Sequence, residues 1–183
     1  YGVSTFGTDI IRNERVTSRT QRLVLSLIQE EREGGVSVDR FLLKNLTSML
    51  LEIGSRDYYE PVFENKFIEE SKTFFQKEAM AYFDSTTAPE YLQKVQARLH
   101  SERDRAERCL DEGTKPKLET VLKEQMIQAY VERIIEKDQS GVQAMLEFWR
   151  EDDLRLVYEV LGLQESALTP VIDRVREFCK KEG

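Results

Sequence analysis

PVFENKFIEESKTFFQKEAMAYFDSTTAPEYLQKVQARLHSERDRAERCL, residues 61–110, decides the fold. Its first half carries Phe63, Phe67, Phe74, Phe75, Tyr82 and Phe83, whose main steps of four and seven are helical spacing. Its second half carries Leu92, Val95, Leu99, Ala106 and Leu110, at steps of three, four, seven and four. Between the stripes lies Ser85-Thr86-Thr87-Ala88-Pro89-Glu90. Thr87 can accept a bond from a free amide of the second helix, Glu90 can reach back, and Pro89 needs no amide partner in a first turn. A turn this short folds two helices back antiparallel, apolar stripe against apolar stripe.

Outward from this pair the same spacing recurs. Phe6 to Arg12 reads as a short helical piece with Phe6, Ile10 and Ile11 as its apolar edge. Val16 to Glu33 reads as a helix burying Leu23, Val24, Leu27 and Ile28, stopped by Gly34-Gly35. The next helix starts at Ser37 or Asp39, buries Leu42, Leu46, Met49, Leu50 and Ile53, and ends at Gly54. Asp57-Tyr58-Tyr59-Glu60-Pro61 reads as a loop into the central pair, and Asp111 to Pro116 as a breaker after it. Lys117 to Lys137 is expected to be one helix, with Leu118, Val121, Leu122, Ile127, Val131 and Ile134 inside. Ser140-Gly141-Val142-Gln143 has the form of a capping-box start to a short helix ending near Trp149. Glu151-Asp152-Asp153 puts negative charge at the next helix N-terminus, where the dipole favours it. Leu154, Val157, Tyr158 and Leu161 are the stripe there, and Gly162 the stop. Thr169-Pro170 opens a last helix over Val171, Ile172, Val175, Phe178 and Cys179. No segment alternates with a strand's period of two, so the expected class is all-α.

Composition narrows the function classes. A chain of 183 residues, 40% hydrophobic and 33% charged, can bury a real core in one large domain or two small ones. A net charge of −7 and a pI of about 5.0 argue against nucleic acid as the main partner. No apolar run approaches the roughly 20 residues that span a bilayer. The chain opens mid-pattern at Tyr1 with no basic-then-apolar leader, and reads as a piece of a longer protein. Cys109 and Cys179 are far apart, and two buried free thiols in a reducing compartment are the favoured reading.

Reactive groups are sparse. His100 is the one histidine, and without clustered Cys it cannot build a structural zinc site. A di-metal bundle would need two Glu-x-x-His units, and residue 97 is Ala. No nucleophile elbow, P-loop or Gly-x-Gly-x-x-Gly occurs. The Asn45-Leu46-Thr47 sequon falls within a helical stripe and reads as chance. The mixed-sign run Glu102-Arg103-Asp104-Arg105-Ala106-Glu107-Arg108 reads first as a solvated face with i, i+3 and i, i+4 pairs, and second as a charged seam or partner contact. Trp149 reads first as core and second as an exposed interaction anchor. No catalytic, cofactor-binding or metal-binding residue is assigned, and no cofactor is expected.

Several runs, taken in order, resemble the N-terminal helical-repeat region of a cullin, the scaffold of multisubunit ubiquitin ligases. Glu31-Arg32-Glu33-Gly34 followed by Val38-Asp39-Arg40 resembles the family's "ERxGE-x-(I/V)DR" turn. Tyr59-Glu60 with Phe63-Glu64 and Phe67 resembles "YExxFExxF". Glu90-Tyr91-Leu92 through Leu99, Glu102, Arg105, Leu110 and Thr114 resembles "EYxxKxExRLxxExxRVxxYLxxsT". Ser140-Gly141 with Met145-Leu146, Glu151-Asp152-Asp153-Leu154 and Tyr158 resembles "SGxxxLLxxxxxEDLxxMYxLF", and Lys181-Glu182-Gly183 resembles the close of the last helix. Phe148-Trp149-Arg150, in place of a polar loop, and Leu161-Gly162-Leu163, in place of "LFSR", depart from the pattern.

The resemblance implies stacked antiparallel helices of cullin-repeat type forming an elongated stalk. Residues 1–111 would be most of a second repeat, and residues 112–183 a third repeat packed continuously with it. It implies a non-catalytic scaffold segment of a cullin-RING E3 ubiquitin ligase, a rigid spacer in ubiquitin-dependent protein degradation, located in cytoplasm and nucleus. Protein partners, a substrate adaptor and a RING subunit, would bind parts of the parent chain outside this one, so no partner-binding residue is carried over. Neither nucleic acid nor membrane is an expected partner. A helical-repeat binding module in trafficking or tethering is the alternative. An all-helical enzyme with paired carboxylates is the third reading, and nothing in the sequence places two together.

Overall fold

A computed structural model describes residues 14–34 and 39–182. The expected edge of Phe6, Ile10 and Ile11, Gly35, a cap at Ser37, the side chain of Ile53 and the terminal Gly183 lie outside the described residues. Among the described residues every regular element is helical. In order these are α1 (Glu14–Arg32), α2 (Arg40–Tyr59), a π turn (Glu60–Glu64), α3 (Asn65–Ser85), α4 (Ala88–Cys109) and α5 (Thr114–Met126). A 3-10 turn (Gln128–Tyr130), α6 (Val131–Glu136), α7 (Val142–Glu147), α8 (Glu151–Leu161) and α9 (Glu165–Glu182) follow. No helix among the described residues is long and apolar enough to cross a membrane.

The chain divides into two compact units, Tyr1–Glu70 with Arg103–Leu118, and Ser71–Glu102 with Glu119–Gly183. In the first, Asp39 caps α2 by accepting from the amides of Phe41 and Leu42 at 3.0 and 3.1 Å. The buried face of α2 is Leu43, Thr47 and Leu50. Of the expected face Leu50 is buried, whereas Leu42 is 41% exposed and Leu46 and Met49 are half-buried; Leu43 and Thr47, one residue further on, take the core positions instead. Thr47 takes a core position because its hydroxyl has buried acceptors, the carbonyls of Leu43 at 3.2 Å and Cys109 at 2.6 Å. In α1, Val24 and Ile28 are buried and Leu23 is exposed.

The expected loop at 57–61 is helical. α2 is interrupted at Ser55 (φ 59°, ψ −176°), one residue past the predicted stop at Gly54, and then resumes to Tyr59. Pro61, which has no amide to give an α-helix, sits early in the π turn, and the Asn65 amide reaches back five residues to the Glu60 carbonyl. Tyr59, Phe63 and Phe67 are fully buried, with ring centroids 5.3 and 5.5 Å apart along the row. Each such side chain stabilises by roughly 1.5–3 kcal/mol.

The second unit contains the tip of the central hairpin. Lys94 lies over the Tyr82 ring, Arg98 over Phe74, and Phe83 meets Tyr91 edge-on at 5.2 Å. One number rises as the other falls, which is the expected antiparallel register. The cap is also as read: Glu90 accepts from the Thr87 amide at 2.8 Å, and Thr87 accepts from the Glu90 amide at 3.4 Å.

Lys117 to Lys137 is not one helix. α5 starts earlier, at Thr114, and ends at Met126, and the chain passes through the 3-10 turn before α6. The Tyr130 amide bonds Ile127, three residues back, so the Met126 carbonyl is left for the Tyr91 hydroxyl, which donates to it at 2.7 Å. Tyr130 then joins Phe83 and Tyr91 in an aromatic triangle, with centroids 5.1 and 5.4 Å away.

Ser140 does not open a capping box. Gly141 is the N-cap of α7, with no side-chain cap bond, and the Ser140 hydroxyl accepts from the Ala88 amide at 3.2 Å, capping α4 instead. In α8, Val157, Val160 and Leu161 are buried and Tyr158 is 64% exposed; Gly162 is its C-cap, as expected. α9 begins one turn before the expected Thr169 start and carries Pro170 inside it. Ala167 and Val171 are buried there, whereas Ile172 and Cys179 are exposed. Helices α6, α7, α8 and α9 pack on one another.

Candidate functional site

The reactive residues weighed from sequence stand apart. His100 is exposed on α4. Cys109 is buried and Cys179 exposed, both free, so the expectation of two buried thiols holds for one. Burial pushes the Cys109 thiol up, away from the thiolate a nucleophile needs. Among the described residues no group of three or more His, Cys, Asp or Glu is placed to hold a metal ion.

Charge is instead concentrated in buried networks within the first unit. Glu64, with no exposed side-chain surface, accepts from Arg56 Nη2 at 2.7 Å, Thr114 Oγ1 at 2.7 Å and Lys117 Nζ at 2.6 Å. Arg56 also pairs with Asp111, and Asp111 accepts from the Gly113 amide at 2.9 Å. Burial alone would raise the Glu64 carboxyl, but the bonds from Lys117, Thr114 and Arg56 outweigh it and hold its pKa below the usual carboxylate value. Tyr59, against the same cluster, bonds Thr114 at 3.3 Å, and burial pushes its hydroxyl up to about 12. The π turn brings Glu64 to these donors, and Ser55 re-aims the helix that carries Arg56.

The second network corrects the reading of residues 102–108. Arg105 is 3% exposed, so the run is not simply a solvated face; Glu102, also 3% exposed, belongs to the second unit, where Arg98 lies 3.8 Å from it. Arg105 Nε donates to Glu31 Oε2 at 2.9 Å, Arg40 Nη2 meets Glu31 Oε1 at 2.6 Å, and Arg40 Nη1 lies 3.3 Å from Asp104. Burial works against the Glu31 carboxylate, and Arg105 and Arg40 overcome it and lower its pKa. The signal was present as charges at i, i+3 spacing, but periodicity does not say which charge meets a partner from another helix. Glu31 and Glu64 are each held by two cations, and in both the cations lower the carboxyl pKa against burial. That arrangement fixes helices; it does not move protons.

One feature of the second unit faces solvent. Trp149, expected in the core, is 76% exposed, and Phe148 beside it is 72% exposed. The Arg150 amide bonds the Met145 carbonyl at 2.9 Å and the Trp149 amide bonds Leu146 at 3.3 Å. This is the paired closure of a helix end whose turning residue is usually Gly; here it is Trp149, at φ 51°. The sequence signal for the turn was absent, because no glycine marks it.

Among the described residues the architecture is all-α, with helical hairpins and charge clusters that brace helices. Residues 1–183 match the cullin alpha solenoid domain. The chain is 28% identical to Cullin-3 of Dictyostelium discoideum over 184 residues, covering 100% of this chain and 24% of that protein. It is 27% identical to Cullin-3A of Arabidopsis thaliana over 182 residues, covering 100% of this chain and 25% of the relative. It is 31% identical to Cullin-4A of Homo sapiens over 182 residues, covering 100% and 23%. The chain belongs to the cullin family, and it spans about a quarter of the length of these relatives.

Proposed function

We propose that this chain is a non-catalytic scaffold segment of a cullin-RING E3 ubiquitin ligase. In this reading it is a stiff spacer from the N-terminal repeat region, between the substrate-adaptor end and the RING end of its parent. The observation that carries the reading is the match to the cullin alpha solenoid domain over the whole chain. The braced, unreactive charge networks support it, since a spacer needs packing and fixed angles and no chemistry of its own. Residues 1–111 and 112–183 are assigned to the second and third repeats; this boundary follows sequence and is a different division from the two compact units. The adaptor and the RING partner are assigned to other parts of the parent, and cytoplasm and nucleus are the expected location.

If spacing is the activity, orientation and effective concentration at the substrate set the transfer rate. A long Gly/Ser segment inserted after the exposed Glu112 in the full-length parent should leave adaptor binding and RING recruitment intact. It should lower ubiquitin transfer to an adaptor-held substrate, because the linker lets the two ends sample many geometries. Unchanged transfer, with the helical signal intact and the linker shown to be mobile, would refute the spacer mechanism.

A further inference from the structure

Folding does not account for the aromatic pair Phe148–Trp149. Trp149 occupies the left-handed turning position of the α7 end, where a bulky side chain is strained and Gly is at ease. Its ring returns nothing by burial, being 76% exposed beside a Phe148 that is 72% exposed. Isolated surface apolar residues are ordinary, but two consecutive large apolar side chains left in solvent at one helix end form an exposed apolar surface that folding leaves without a partner. The surroundings decide what it contacts. Residues 147–153 hold Glu147, Glu151, Asp152 and Asp153 against Arg150 alone. Arg150 is paired with Asp153 at 2.7 Å and Arg155 lies 3.8 Å from Asp152, whose side chain is 97% exposed; over residues 147–155 four carboxylates still face two guanidiniums, a net charge of −2. A nucleic acid or an anionic membrane would be repelled by this rim. An Arg or Lys side chain would be drawn to the carboxylates and could lie on the ring faces, where the indole is the strongest cation acceptor.

From this we infer that the Phe148–Trp149 corner is a docking site for a basic, Arg- or Lys-bearing segment of a partner protein. The inference is independent of the ligase reading. Trp149 is the sole tryptophan, so its fluorescence reports on the site directly. In the chain as it stands, the ratio of caesium to iodide quenching of Trp149 should exceed the ratio for a free neutral indole in the same buffer; an equal ratio would remove the acidic rim from the proposal. A short Arg-rich peptide should shift and saturate the emission, and its Glu-substituted counterpart should not. The double variant Glu151→Gln, Asp152→Asn keeps the reporter and should weaken the peptide by about tenfold. In Trp149→Gly, binding of the labelled peptide should fall at least about tenfold while the melting temperature stays level or rises. A melting temperature lowered by several degrees would make Trp149 structural and overturn the proposal. So would equal responses to the two peptides, or an emission change that follows protein concentration without peptide, which would make a second copy the occupant.

Discussion

Glu64 is a carboxylate with no exposed side-chain surface and three donors, so its charge is worth holding only while the donors stay in place. Its pKa in the folded chain is lowered from the ordinary 4.5, which fixes the sign of its pH dependence. The stability it contributes is fully present above the unfolded value and is lost as pH falls below it through the folded value. Melting temperature should therefore be level from neutral pH down to the ordinary carboxylate range and drop below it. Glu64→Gln should flatten part of that acid limb and destabilise at neutral pH by roughly 1–3 kcal/mol, since Arg56 and Lys117 remain partly hydrated. Denaturant titration of the two proteins at neutral and acid pH checks both statements. Gly141 is a different kind of residue-scale constraint. Its backbone is ordinary, at φ −77°, but a Cβ there would sit 2.5 Å from the Ile135 carbonyl and 2.7 Å from the Lys137 amide nitrogen. Backbone cannot swing aside, so Gly141→Ala should cost roughly 2–4 kcal/mol. Gly34→Ala meets no atom within 4 Å, and its φ of +78° costs only about 1 kcal/mol. Equal losses in the two variants would mean that the approach of residues 135–137 to Gly141 is wrong.

At the scale of the element, existence was legible and rotation was not. Runs at three- and four-residue spacing gave the helices, and local chemistry gave the ends where a side chain binds its own helix, as at Asp39 and at Thr87 with Glu90. What escaped depends on distant partners. Thr47 turns α2 by one residue because it bonds the carbonyl of Cys109, far along the chain. After Met126 the helix gives way to a 3-10 turn and the Tyr91 hydroxyl takes the freed Met126 carbonyl, in a stretch with no Gly or Pro to warn of it. Ser140 caps another helix, and Trp149 stands where a glycine would have announced a turn. The α2 rotation gives a direct test. Leu43 is fully buried and Leu42 is 41% exposed, so Leu43→Ala should cost roughly 2–5 kcal/mol and Leu42→Ala within about 0.5 kcal/mol. Equilibrium unfolding in urea would separate them, and the reverse order would restore the face predicted from spacing alone.

At the scale of the whole chain, each matched run was short and weak, and only their order along nearly all of the sequence carried family information. Order survives at 27–31% identity because helix lengths and caps must be kept for neighbours to stack, while individual core side chains can be exchanged at similar volume. The whole-chain prediction follows from the same source. Nothing in the described residues pairs backbone between segments as a sheet does; every regular element closes its hydrogen bonds locally. The far-ultraviolet spectrum should therefore be dominated by helix, with strand below about a tenth, against the 20–25% of an average globular protein. No metal enters that accounting, so a chelator should leave both the spectrum and the melting temperature where they were. A strand signal above about a tenth would overturn the all-α assignment itself. A melting point that moves by several degrees on chelation would mean that side chains gather around an ion somewhere in the chain.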